Sequence, residues 1–178
     1  GSMSVYVVSK NGGVPVRLTS SPYSETPIAF KDNETLLYQS QMMPSTEDMQ
    51  FPKGFRQVYQ VDINGKGKGN VPKMVSSMPM ENISISKDGK TWLYNDMKGY
   101  EDALRKHHTS SITRDVWSYA PSEGKYTKLT TFNGEDRNPV WGEGGAFYYL
   151  TEENGTFNVA KREGSSTKIL TNFKNHPV

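Results

Sequence analysis

The feature of this sequence that most restricts its fold is a four-part repeat. Each copy begins with an extended apolar segment and continues through a turn into a strand that ends in an apolar residue followed by a small or β-branched one. Two further strand-like segments complete the copy. The apolar residue of the second strand is Leu18, Met74, Leu129 and Leu170 in successive copies, which are therefore spaced by 56, 55 and 41 residues. Self-similarity of this kind indicates one supersecondary unit repeated along the chain.

Within each copy, apolar residues alternate with polar ones, as they do in half-buried strands. Segments such as 58–61 and 116–119 are short and rich in β-branched and aromatic residues, which favours strands. Between the strands lie Asn64-Gly65, Asp88-Gly89 and Asn154-Gly155, pairs that supply the positive φ of tight hairpin turns. The sequence therefore predicts an all-β protein.

The shortest spacing, 41 residues, suits the four antiparallel strands of one β-propeller blade. We predict a partial blade over 1–24, complete blades over 25–77, 78–132 and 133–173, and the start of a further blade over 174–178. Propellers close with about four to eight blades. Three complete blades with a partial blade at each end thus predict an open segment of a larger propeller, whose exposed strands would allow self-association.

Two copies are longer because they carry insertions, at 42–56 and at 96–113. The first is rich in Met and Pro, and the second has a stretch that could form two helical turns. Loops of this length in a compact domain are often functional. In and beside the second insertion we predict substrate or inter-domain contacts by Arg105, Lys106, His107, His108, Arg114 and Asp115. A pair of cationic side chains suits the C-terminal carboxylate of a peptide.

Composition argues against several classes of function. The chain has no cysteine, which excludes thiol nucleophiles, thiolate metal sites and disulfides within it. Its 21 basic and 19 acidic residues are interspersed, so no nucleic-acid partner is expected. No apolar run approaches the ~20 residues of a membrane span, and no membrane partner is expected.

Catalytic and metal sites also lack support in the sequence. The neighbours His107 and His108 have no third ligand at a metal-binding spacing, so we expect no metal. No Gly-x-Ser-x-Gly turn is present, so we expect no catalytic residue in this chain. No cofactor is expected either. The compartment, cytoplasmic or periplasmic, stays open.

The repeats resemble those shared by TolB-type proteins and the tricorn family of serine peptidases. The shared pattern is a Gly-Gly turn, a basic residue with Leu-Thr, and a proline-led strand, seen here in Gly12-Gly13, Arg17-Leu18-Thr19 and Thr26-Pro27. Three further stretches are similar to bacterial tricorn-like peptidases: 98–117, 134–140, and 154–159 together with 170–178.

The resemblance implies that the family's chemistry lies outside this chain, in a serine-peptidase core beyond a PDZ-like domain. For this chain it implies a non-catalytic scaffold that gates peptide access or product exit. Its partners would be peptide substrates, the remaining blades, the peptidase domains and a second copy. Two alternatives remain: a TolB-like interaction module with no peptidase attached, and a glycan-active propeller, whose Asp-box turn is approached only once, at 86–92.

Overall fold

A computed structural model describes residues 2–42, 55–65, 71–99 and 110–174. The described residues form fourteen antiparallel strands and one short 3-10 turn, Glu143–Gly145. They divide into two compact units, residues 1–79 and 80–178.

The first unit contains a two-stranded and a four-stranded sheet. Strands β1 (Tyr6–Val7) and β2 (Val16–Arg17) pair with each other. The four-stranded sheet has the order β3 (Glu25–Phe30), β4 (Thr35–Ser40), β5 (Gln57–Asp62) and β6 (Lys73–Ser76).

One buried cluster of the first unit lies on one face of its four-stranded sheet. Alternate residues of β4 and β5 share a face, and Tyr38 of β4 pairs with Tyr59 of β5. Their rings stack with centroids 5.7 Å apart. Val5 and Leu18, from the segments around β1 and β2, complete the same buried cluster. The opposite face of β4 is buried as well, since Leu37 is fully buried.

The second unit contains two four-stranded sheets. One has the order β7 (Met80–Ile85), β8 (Trp92–Asp96), β9 (Val116–Ala120) and β10 (Lys125–Lys128). The other has the order β11 (Asp136–Trp141), β12 (Phe147–Thr151), β13 (Asn158–Glu163) and β14 (Ser166–Ile169).

These two sheets share one core. Leu93 and Val116 of the first sheet cluster with Phe147, Tyr149 and Ala160 of the second. Strand β11 contacts both β7 and β8. Aromatic residues at alternate strand positions therefore help to fill the space between these two sheets.

The Leu-Thr pair of the repeat has a specific structural role. In three copies, the Leu N–H donates to the carbonyl oxygen of a valine at or near the start of an earlier strand, and that valine's N–H donates to the Thr hydroxyl. The three sets of residues are Val5 with Leu18 and Thr19, Val116 with Leu129 and Thr130, and Val159 with Leu170 and Thr171. All six hydrogen bonds have donor–acceptor distances of 2.8–3.0 Å. The threonine satisfies a backbone donor at the sheet end that would otherwise have no partner.

The expectation of an all-β chain with propeller-like blades is confirmed, and no sheet closes on itself within the described residues. The blade bounds by residue number stay a prediction. Most of the 42–56 insertion and of the proposed helical turns in 96–113 lies outside the described residues. No helix in the described ranges has the length and hydropathy needed to cross a membrane.

Replacing Thr130 by valine tests the role of the Leu-Thr pair. The substitution keeps the shape but leaves the Val116 N–H, which now donates to the Thr130 hydroxyl at 3.0 Å, without a partner. We expect the free energy of unfolding to fall by about 1–3 kcal/mol, measured by urea denaturation. The matched control is Thr127→Val, because Thr127 is exposed on β10. Equal stability of the two variants would contradict this role.

Candidate functional site

The site is built around the two ends of the 96–113 insertion, where β8 ends and β9 begins. The Lys98 ammonium donates to the Thr113 carbonyl oxygen at 2.7 Å and to Asp115 Oδ2 at 2.6 Å. It also lies 3.4 Å from Asp96 Oδ2. On the returning limb, the N–H and hydroxyl of Thr113 donate to the Ser110 carbonyl oxygen at 3.2 and 2.9 Å. One ammonium group thus ties both limbs of the insertion together.

The carboxylates beneath this ammonium are buried and well supplied with donors. Asp96 accepts from the Asp115 N–H at 2.7 Å and from Trp117 Nε1 at 3.2 Å. Lys128 Nζ approaches Asp115 Oδ2 to 2.9 Å. We call Asp96, Lys98, Asp115 and Lys128 the Lys98 cluster. It pairs two buried carboxylates with two partly exposed ammonium groups.

The pKa values within the Lys98 cluster follow from burial and pairing. Burial raises the pKa of Asp96, while the Asp115 N–H and the Lys98 charge oppose the rise. Burial alone would lower the pKa of Lys98, yet it is raised because Asp115 and Asp96 favour the ammonium form. Lys98 is therefore a permanent cation, which suits a tie between loop limbs and not a proton-transfer group.

A second ion-pair network connects the two sheets of this unit through Arg114. Its Nε donates to Glu81 Oε2 at 2.6 Å, and its Nη1 lies 3.4 Å from Glu135 Oε1. Glu135 also lies 3.4 Å from Arg137 Nη1. The Asp136 N–H donates to the Arg114 carbonyl oxygen at 2.9 Å. Arg114 therefore fastens β7 to the segment that leads into β11.

Two asparagines beside this network adopt an uncommon backbone conformation. Asn82 and Asn138 have φ values of 51° and 54°, and they are the only non-glycine residues with positive φ in the described part of the chain. Each lies at a bulge, on β7 and β11 respectively. Asn82 Nδ2 donates to Asn138 Oδ1 at 2.6 Å, and the Asn138 N–H donates to Asn95 Oδ1 at 3.1 Å. Asparagine tolerates this conformation better than most residues.

The sequence-predicted site residues fall into two groups. Arg114 and Asp115 lie in these networks, and both make intramolecular ion pairs. Arg105, Lys106, His107 and His108 lie outside the described residues, so their contacts stay predictions. Within the described ranges no three His, Asp or Glu side chains are grouped to hold a metal ion.

Sequence reasoning missed most partners in these networks. Lys98 and Glu81 reach Asp115 and Arg114 across 17 and 33 residues, a separation that no local pattern reveals. One usable signal was present, since asparagine occupies a corresponding position in two copies of the repeat, at Asn82 and Asn138.

The comparison with known families decides the relationship. The family described as the tricorn protease N-terminal beta propeller domain matches residues 1–178. The chain belongs to this family. No curated protein matches it.

Solved structures similar to this family member share its fold at low sequence identity. TolB from Acinetobacter baumannii is 16% identical with a TM-score of 0.62, over 94% of this chain and 37% of its own. A puromycin hydrolase is 13% identical with a TM-score of 0.65, over 96% and 28%. A puromycin-hydrolyzing peptidase of Mycobacterium tuberculosis is 13% identical with a TM-score of 0.60, over 91% and 23%. The chain thus spans well under half of each of these proteins.

Asp136 provides a pH test of this unit. Burial raises its pKa to about 6, although the Thr151 and Thr130 hydroxyls oppose the rise. Asp136 therefore binds more protons in the folded protein than in the unfolded chain between about pH 4 and pH 6, and its contribution to stability falls as pH rises through that range. Because two pKa units correspond to ~3 kcal/mol, we expect Asp136→Asn to gain about 1–3 kcal/mol relative to wild type between pH 4 and pH 7.

The measurement is the free energy of unfolding against pH. Glu123→Gln, at an exposed turn, is the control and should leave the slope unchanged. A wild-type slope retained by Asp136→Asn would show that this carboxyl does not titrate as stated.

Proposed function

We propose that this chain is a non-catalytic β-propeller segment that scaffolds and gates peptide passage to, or product exit from, a tricorn-like serine-peptidase core outside it. The observation that carries the proposal is the match of residues 1–178 to the N-terminal propeller family of tricorn protease. The folds shared with a puromycin hydrolase and a puromycin-hydrolyzing peptidase support it.

The two ends of the 96–113 insertion are held together, and this supports a contact role for the loop between them. Lys98 joins the two limbs, and an added Cβ at Gly99 would lie 3.1 Å from Ile112 Cγ2. Gly99 and Ile112, which lie on either side of residues 100–109, are therefore close together. Fixed ends lower the entropy cost of a contact made by an intervening segment.

We assign different tasks to the predicted site residues. Arg105 and Lys106 bind the C-terminal carboxylate of a passing peptide through charge-assisted hydrogen bonds. His107 and His108 contact a neighbouring blade or domain. Arg114 and Asp115 position the base, because their charges are engaged with Glu81 and Lys98.

A TolB-like interaction module is the second candidate, favoured by the structural similarity to TolB. The two candidates differ in what is joined to the propeller. The complete reading frame discriminates between them, because a PDZ-like region with a serine-peptidase core supports the first and its absence supports the second.

Binding of unstructured peptides tests the gating role. Removing both cations in Arg105→Ala/Lys106→Ala should weaken binding of a fluorescein-labelled peptide about tenfold by fluorescence anisotropy, because it deletes charge-assisted hydrogen bonds. The control Lys87→Ala/Lys90→Ala removes two exposed lysines of the second unit and should bind normally. An amidated peptide should show no difference between the variants.

Equal binding by all variants would refute the assignment of Arg105 and Lys106. The same samples test the non-catalytic role, since the purified chain should leave the peptide intact in mass spectrometry. Hydrolysis that disappears on substitution of one of the chain's own serines would overturn it.

A further inference from the structure

The first unit carries a row of buried polar side chains across three strands. Glu25 of β3 pairs directly with Ser40 of β4, and Ser40 pairs directly with Gln57 of β5. Residues directly opposite each other project from the same face of a sheet. Their exposures are 2%, 0% and 7%. We call these three residues the Glu25 row.

Each member of the Glu25 row has a buried oxygen atom with no hydrogen-bond partner among the described residues. The atoms are Oε1 of Glu25, Oγ of Ser40 and Oε1 of Gln57. Other polar atoms of the row are engaged: Glu25 Oε2 accepts from the Thr19 hydroxyl, and Gln57 Nε2 donates to the Phe55 carbonyl oxygen at 3.2 Å. Buried polar groups without partners are costly and rare. Within the described part of the chain the two Oε1 atoms therefore lack donors, and the Ser40 hydroxyl lacks any partner.

A cleft reaches Glu25, at one end of this row. Glu25 lines an open cleft of about 430 Å³, together with Thr19, Pro22 and Met42. Arg17 also lines the cleft, but its guanidinium donates to the Thr19 carbonyl oxygen at 2.6 Å and to Ser4 Oγ at 2.8 Å. A buried carboxylate beside an open cleft is a place where a cationic ligand group can bind.

The sheet β7–β10 of the second unit shows which group occupies the position that corresponds to this cleft. In that sheet Asp96 of β8 pairs with Met80 of β7, and the corresponding pair in the first sheet is Ser40 of β4 with Glu25 of β3. Lys98 follows Asp96 by two residues, and its ammonium contacts three oxygens, those of Thr113, Asp115 and Asp96, at 2.6–3.4 Å. In the first sheet the residue two positions after Ser40 is Met42. An apolar side chain thus stands where the other copy of the repeat supplies an ammonium group.

We propose that the cleft binds a primary ammonium group of an external ligand. Such a group has three N–H donors, and one of them can bind the unpartnered Oε1 of Glu25, the member of the row that lines the cleft. A single carboxylate is a poor ligand set for a divalent metal, which prefers several charged oxygens. The ammonium group belongs either to the N-terminus of a peptide or to a lysine side chain. The inference does not require the peptide gating proposed above.

Three peptide amides separate the sources of the ammonium group. The first is Gly-Ala-Ala amide with a free α-amino group, the second is N-acetyl-Gly-Lys-Ala amide, and the third is N-acetyl-Gly-Ala-Ala amide. Isothermal titration calorimetry with the wild-type chain should show binding of the first, the second or both, and none of the third. The amidated C-termini remove any carboxylate contact with Arg105 and Lys106, so failure here is distinct from failure of the gating role. Equal binding of all three, or binding of none, overturns the proposal.

Substitutions test whether the ammonium group of the ligand binds at Glu25. Glu25→Gln should weaken binding at least tenfold, whereas Glu34→Gln removes an exposed carboxylate of the same unit and should bind as wild type does. Wild-type affinity in a folded Glu25→Gln protein would overturn the proposal.

Met42→Lys supplies the ammonium group from within the chain. By analogy with Lys98, this variant should lose binding of the peptide amides and melt at a higher temperature. Met42→Leu, which keeps an apolar side chain, should retain binding. If Met42→Lys bound the amides as the wild type does, the equivalence between the two sheets would be wrong.

Discussion

A buried backbone N–H at the end of a sheet must find an acceptor, and a side chain supplies it where the next strand does not. In this chain the hydroxyls of Thr19, Thr130 and Thr171 accept from three equivalent valine N–H groups. In each of these copies one threonine hydroxyl therefore holds the start of an earlier strand. Hydrogen bonding accounts for the Leu-Thr motif in these three copies, whereas the remaining copy has Met74-Val75 at this position.

The copies of the repeat differ in the partners that they provide for polar side chains at the strand ends. The second unit neutralises Asp96 and Asp115 with Lys98 and Lys128. In the first unit, three acceptor oxygens near Glu25 have no donor within the described residues. One repeat position therefore serves as an internal tie in one copy and, by our proposal, as a binding site in another. Small changes at a fixed position can redirect a repeat without altering its sheets.

The sheets were predictable from the sequence because their causes are local. Alternating apolar residues, turn glycines and the Leu-Thr pair lie within a few residues of the strands they determine. Arg114 and Asp115 were found because charged residues flank an insertion. Lys98 and the Glu25 row were not found, since their contacts depend on cross-strand register and on where the chain returns after an insertion. Residues 105–108 lie outside the described residues, so their contacts stay predictions.

Hydrogen exchange in Lys98→Met tests the central claim, that one ammonium group ties the base of the 96–113 insertion. In wild type, the Thr113 N–H donates to the Ser110 carbonyl oxygen and the Asp115 N–H to Asp96 Oδ1. The account predicts that both amides exchange at least tenfold faster in Lys98→Met but not in Lys90→Met, which alters an exposed lysine. The Val116 amide, held by Thr130, should remain protected in both. Unchanged protection of Thr113 and Asp115 in a folded Lys98→Met protein would contradict the account.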